Sequence, residues 1–139
     1  MKDLEPELKE QVVALCQKGM EQAEIERYEA SNRTFGKIYE LIPEPKSEWK
    51  AYTWLQASRA DNFFELKEYK QALDLLSESV ELDEDYKKNA YVRMRIGQCL
   101  HEMKQVGAAK EALQHAYELG GEEIFEDEYA IYKKLATQE

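Results

Sequence analysis

Apolar residues recur along this chain at helical spacing, in stripes separated by short polar breaks. Val12, Leu15, Cys16, Gly19, Met20 and Ala23 form the first stripe; Tyr28, Ser31, Phe35, Ile38, Tyr39 and Ile42 form the second. Residues three and four apart share one face of an α-helix, so each stripe predicts a helix with one side turned to a core. Pro43 and Pro45 end the second helix, because proline cannot continue a helix and restricts the residue before it. Ser47 is placed to cap the next helix. There Trp49, Trp54, Ala57, Ala60, Phe63 and Phe64 spread over much of the circumference, which predicts cover on more than one side. Lys67-Glu68 makes the turn into a helix carrying Tyr69, Ala72, Leu73, Leu76, Val80 and Leu82.

Two further helices follow. Ile96, Gly97 and Leu100 fall on one, and Ala109, Leu113, Ala116 and Leu119 on the other. The small residues Gly97 and Ala109 predict a close approach of two backbones, with Leu113 filling the space beside them. Gly120-Gly121 is a helix stop. Tyr129 to Ala136 again has helical spacing and predicts a cap packed through Ile131, Tyr132 and Leu135. The acids Glu122, Glu123, Glu126, Asp127 and Glu128 precede it, where they favour a helix N-terminus. At the other end, Met1 to Glu10 reads as a polar lead-in in which Pro6 suits a first helical turn.

The small residue of each second helix repeats, with 41 residues from Ser31 to Ala72 and 37 from Ala72 to Ala109. The stretch AYVRMRIGQCLHEMKQVGAAKEALQHAYEL, from Ala90 to Leu119, resembles the tetratricopeptide repeat family, whose unit is two antiparallel helices of about 34 residues. Gly19, Tyr28, Phe35, Leu41 and Pro43 fit an earlier copy, although Lys18 and Gln22 stand where the pattern has apolar residues. Tyr69 and Ala72-x3-Leu76 fit another. The resemblance implies an all-α, right-handed solenoid of three helix pairs, at about 11–44, 47–84 and 89–121, with a capping helix at about 126–137, in one domain over 1–139. The surplus over the usual period falls to a longer helix after Ser47 and to the DEDYKKN connection. One such pair cannot bury its own apolar face, so the copies must stack.

In this family the first helix of each pair lines a concave groove. The resemblance therefore assigns Cys16 and Met20 to a partner-binding groove from the first pair. It assigns Trp54, Ala57, Ser58, Asp61 and Phe64 from the second, and Tyr91, Met94, Arg95, Gln98 and His101 from the third. Aromatics, methionine and arginine are enriched at protein interfaces. The apolar members read equally well as core packing, whereas Asp61 and Arg95 read as surface, since unpaired charges are rarely buried. Of the positions where some relatives grip a C-terminal carboxylate (Cys16, Met20, Ser58, Tyr91 and Arg95), only Arg95 suits that task. LIPEPKSEWKAYTWL, MRIGQCLHEM and GEEIFEDE are similar to segments of small stand-alone bacterial tetratricopeptide proteins encoded near polymorphic toxins. That similarity implies an immunity protein, which binds and neutralises a cognate toxin domain. The competing class is a cytoplasmic scaffold or adaptor.

Charge narrows the partner. The net charge of −10 and a pI of about 4.8 argue against nucleic acid and against an anionic membrane surface, both of which need a basic face. They favour a basic protein, such as a basic toxin domain. MKDLEPELKE carries no secretory pattern, no run is long enough to cross a bilayer, and Cys16 and Cys99 lack CxxC spacing. A cytoplasmic location with reduced, buried thiols is the expectation. His101 and His115 fall in different helices with no nucleophile at motif spacing, so no catalytic residue and no enzyme activity is expected. The acid patch lacks the alternation of a calcium loop, so neither metal nor cofactor is expected. The sequence carries no signal for an oligomeric state.

Overall fold

The computed structural model describes residues 1–138. Among them all regular structure is helical apart from a single bridge between Lys2 and Trp49. The helices are α1 (Pro6–Glu24), α2 (Tyr28–Leu41), α3 (Lys50–Glu65), α4 (Tyr69–Leu82), α5 (Glu84–Lys87), α6 (Ala90–Glu102), α7 (Val106–Gly120) and α8 (Ala130–Thr137). Short 3-10 turns occupy Lys46–Glu48 and Glu122–Phe125. The chain divides into two compact units, Met1–Glu68 and Tyr69–Glu139. The boundary falls between α3 and α4, the two helices that the sequence assigns to one pair.

In the first unit α2 packs between α1 and α3. Val12, Phe35, Ile38, Ile42, Tyr52 and Leu55 form its core, closed at one side by Leu4. Gly19 sits against Phe35 so tightly that a Cβ there would overlap the ring. A chain of polar contacts runs alongside. Ser31 Oγ donates to the Gly19 carbonyl at 2.7 Å, and Asn62 Nδ2 donates to Ser31 Oγ at 2.9 Å and to Asn32 Oδ1 at 2.8 Å. Gln22, out of place in an apolar pattern, accepts from Thr34 Oγ1 at 2.6 Å. Polar residues thus stand where α1, α2 and α3 meet because each finds a partner there. At the C-terminus of α2, Lys46 turns back and donates to the Tyr39 and Ile42 carbonyls at 2.8 and 2.7 Å. A cation there meets both orphan carbonyls and the negative end of the helix dipole.

In the second unit α6 packs along α7, with α4 on α6 and α8 on α7. Met94, Leu113, Ala116, Ile124, Phe125, Tyr132, Leu135 and Ala136 form the core. α7 stops at Gly120, and Gly121 takes φ +71°, a conformation glycine adopts without penalty.

Three turns share one geometry. Glu26, Lys67 and Lys104 each have φ between +62° and +68°. In each turn the following N–H reaches back five residues: Arg27 to the Gln22 carbonyl, Glu68 to Phe63 and Gln105 to Leu100. Glu26, Lys67 and Lys104 themselves donate to Ala23, Phe64 and His101. This is the Schellman arrangement with a left-handed residue just past the helix end. Its three occurrences are 41 and then 37 residues apart, the same intervals that separate Ser31, Ala72 and Ala109. The longer interval contains α3, of 16 residues, where the shorter contains α6, of 13.

Three sequence expectations of the fold need correction. Ser47 does not cap α3; it lies in the 3-10 turn, and Trp49 stands at the N-cap without a side-chain bond. Ile131 is exposed, and the cap is instead anchored by Tyr132, Leu135 and Ala136 with Ile124 and Phe125 from the preceding turn. Leu82 and Leu119 end their helices exposed rather than packed. The DEDYKKN connection, which takes up part of the surplus length as expected, contains a one-turn helix, α5, whose N-cap Asp83 accepts from the Asp85 N–H.

Candidate partner-binding face

On the first unit, Val13, Cys16 and Met20 follow one another along one side of α1, while Ala51, Trp54, Ser58 and Asp61 do so on α3. Both rows obey the three-and-four spacing of a helix face. Two hollows lie there, and Trp54 lines both. The first, of about 230 Å³, has apolar walls from Leu4, Val12, Val13, Cys16 and Ala51, with Asp3, Lys9 and Lys50 around it. Lys50 pairs with Asp3 at 3.7 Å. The second, of about 370 Å³, is lined by Met20, Ala23, Phe35 and Asn62, with Ser58, Glu24 and Asp61 supplying polarity. Trp54 stands edge-on to Phe35, ring centroids 5.8 Å apart at 85°. Phe35 is buried; Trp54 is only half so. The indole is therefore held by packing yet open to solvent, and Met20 beside it is 51% exposed.

Of the seven positions assigned to this unit from the sequence, Cys16, Met20, Trp54, Ser58 and Asp61 come together around these hollows. Ala57 and Phe64 are half-buried on α3 and outside the lining of either. Burial pushes the Cys16 thiol up to about 11, so it stays protonated and acts as an apolar wall.

The five positions of the second unit divide. Tyr91 is exposed, Met94 lies in the core and Gln98 is fully buried, so the last two are packing residues and offer no face to a partner. Arg95 is half-buried, not a free surface charge. Its Nη1 donates to Gln98 Oε1 at 2.8 Å and lies 3.6 Å from Glu128 Oε1. Gln98 Nε2 donates in turn to Glu128. His101 stands edge-on to Tyr132 at 5.6 Å, with Nδ1 3.5 Å from Glu102 Oε1. The Tyr132 hydroxyl donates to the same Glu102 oxygen at 2.5 Å. Burial first, and then that hydrogen bond, hold the phenol proton well above the usual range. The sequence discloses neither partnership, because Glu102 and Glu128 each pair with a side chain 30 positions away.

The histidines do not converge: His101 belongs to this network and His115 is exposed. Among the described residues no three His, Cys, Asp or Glu side chains are grouped to hold a metal ion, and no helix is long and apolar enough to cross a membrane.

Residues 90–119, the α6–α7 pair, match the tetratricopeptide repeat family model. No curated protein matches the chain in sequence. Its fold is similar to the solved structure of the first TPR of Spaghetti (RPAP3) bound to HSP90 peptide SRMEEVD, with a TM-score of 0.68 at 18% identity over 90% of this chain and 92% of that one. It is also similar to the N-terminal domain of stress-induced protein-1 (STI-1) from C. elegans, with a TM-score of 0.67 at 15% identity over 94% and 98%. The chain is all-α, with the fold of a tetratricopeptide-repeat domain, and α6–α7 carries that repeat in its sequence.

Proposed function

We propose that this chain is a non-catalytic protein-binding module whose partner docks on the α1–α3 face around Trp54. The observation that carries this reading is Trp54 itself, held edge-on by Phe35 and open between two hollows. A rigid aromatic with wells on both sides is the form taken by interface residues that dominate binding. The shared fold supports a protein or peptide ligand, since one similar domain was solved with an HSP90 peptide bound. Within that class, the similarity of LIPEPKSEWKAYTWL, MRIGQCLHEM and GEEIFEDE to toxin-associated proteins supports an immunity protein. The net charge of −10 supports a basic toxin domain as the partner. Such an inhibitor needs only to cover the toxin's active site or substrate path, and a specific interface of roughly 1,200–2,000 Å² suffices.

Co-expression tests both levels. A toxin domain encoded beside this chain is expressed in a susceptible cell with and without it. Growth should be rescued by the wild type and by Glu111→Ala, an exposed change on α7. Rescue should be lost with Trp54→Ala and with Met20→Glu. If no neighbouring toxin domain is bound or neutralised, a scaffold or adaptor using the same face replaces the immunity reading.

A further inference from the structure

Resting on the reading that Trp54 marks the binding face, we infer that the partner segment carries an aliphatic side chain for the first hollow and a lysine or arginine for the second. The first hollow, at about 230 Å³, is below the roughly 300–1,000 Å³ of small-molecule sites. Its walls are apolar, including the protonated Cys16 thiol. An aliphatic side chain is the occupant that leaves no polar group unpaired in such a space.

The second hollow differs in charge. Its walls are apolar at Met20, Phe35 and Trp54, but it carries the carboxylates of Glu24 and Asp61, both exposed. A lysine or arginine matches that mixture, because its methylene stem packs on apolar surface while its charged head remains at the wet carboxylates. A guanidinium or ammonium near the indole face also gains a cation–π contact. An acidic side chain would meet two like charges instead.

The spacing of the hollows fixes the spacing of the two side chains. Val13 lines the first and Met20 the second, seven residues apart on one face of α1. At about 1.5 Å per residue that is roughly 10 Å. In a polyproline II segment, which rises about 3.1 Å per residue with about three residues per turn, the same distance separates residues three apart on one side. The recognised pattern is therefore an aliphatic residue, two free positions and a basic residue, in either direction.

Panning a phage library of random twelve-residue peptides against the full chain tests this. Enriched sequences should show the aliphatic and basic pair three apart. Affinity for a selected peptide should fall roughly two- to five-fold with Glu24→Gln, the effect of one exposed ion pair. Glu24→Lys, a change at an exposed position, should shift the basic preference toward acidic residues. Circular dichroism of each variant establishes that it is folded. Enrichment of aliphatic peptides with no basic preference would overturn the inference while leaving protein binding at this face intact. Enrichment of the same sequences by Met20→Glu as by the wild type, or no enrichment at all, would overturn the face itself.

Discussion

Gly97 faces Leu113 across the α6–α7 crossing with no room for a side chain: a Cβ on Gly97 would stand 2.6 Å from Leu113 Cγ and 3.2 Å from the Leu113 backbone nitrogen. The neighbouring backbone cannot move aside as a flexible side-chain tip does. Gly97→Ala should therefore destabilise by about 1–3 kcal/mol through overpacking, even though alanine is the better helix former. Gly36 provides the control, since a Cβ there meets nothing within 4 Å. Gly36→Ala should stabilise by roughly 0.5–1 kcal/mol. Thermal melts of the pair decide the matter; equal gains at both sites would mean that the crossing is looser than described.

The three Schellman turns predict a gain of stability from glycine. Lys104 and Glu26 hold φ of +68° and +63°, a region that costs a residue with a Cβ about 1–2 kcal/mol. Lys104→Gly and Glu26→Gly relieve that strain but enlarge the unfolded ensemble, so each should stabilise by a net few tenths to about 1 kcal/mol. Glu111→Gly, at an exposed position in the interior of α7, should instead cost about 0.5–1 kcal/mol. Urea unfolding of the three variants reads the signs.

These turns also mark the limit of what the sequence discloses. The α6–α7 pair was legible because Gly97, Ala109 and Leu113 are local signals for a close crossing. The Schellman turns were not, because glutamate and lysine occupy positions where glycine would have announced them. The hollows beside Trp54 were half legible: the residues on α1 and α3 were assigned to a groove, but which of them stay open depends on packing by Phe35 and Leu4. Arg95 misled for the opposite reason. A charged residue on a helix reads as surface until its partner is known, and Glu128 reaches it only through the chain reversal at Gly121 and the turn that follows.

Cys16 should resist alkylation. With its thiol raised from 9.0 to about 11 by burial, the thiolate fraction at pH 8 falls by about 100-fold. Mass spectrometry after iodoacetamide treatment should show slow modification of the folded chain and rapid modification in urea. Equal rates would mean that the first hollow leaves the sulfur solvated.

Tyr132 should make stability fall at alkaline pH. Its hydroxyl is held above the ordinary phenol range by burial and by the hydrogen bond to Glu102, with the Glu102, Tyr69 and Glu128 charges acting in the same direction. Above about pH 10 the unfolded chain releases this proton while the folded chain retains it. The folded state then binds more protons, so stability decreases as pH rises from there. Tyr28, also raised by burial, and Cys16 contribute in the same direction. The contribution of Tyr132 is therefore read as a difference: urea melts from pH 8 to 11.5 should show a shallower decline for Tyr132→Phe than for the wild type. Parallel declines would mean that the phenol titrates normally.

Arg95 separates stability from binding. Its guanidinium supports the buried Gln98 and lies 3.6 Å from Glu128, with both charged side chains only about one-fifth exposed. Removing it leaves a half-buried carboxylate without that cation, and deleting one partner of such a pair costs more than an exposed salt bridge is worth. Arg95→Ala should destabilise by about 1–3 kcal/mol. Glu128→Gln should cost less, because the amide oxygen still accepts from Gln98 and the Arg95 guanidinium, though deprived of its carboxylate, keeps its bond to Gln98 Oε1. The double variant should be milder than the sum, since each single change removes the same contact. Met20→Glu should do the reverse: it sits on an exposed stretch of α1, so the melting temperature should hold while partner binding is lost. An Arg95→Ala protein that melts like the wild type yet fails to bind would return Arg95 to the interface and move the binding face to α6.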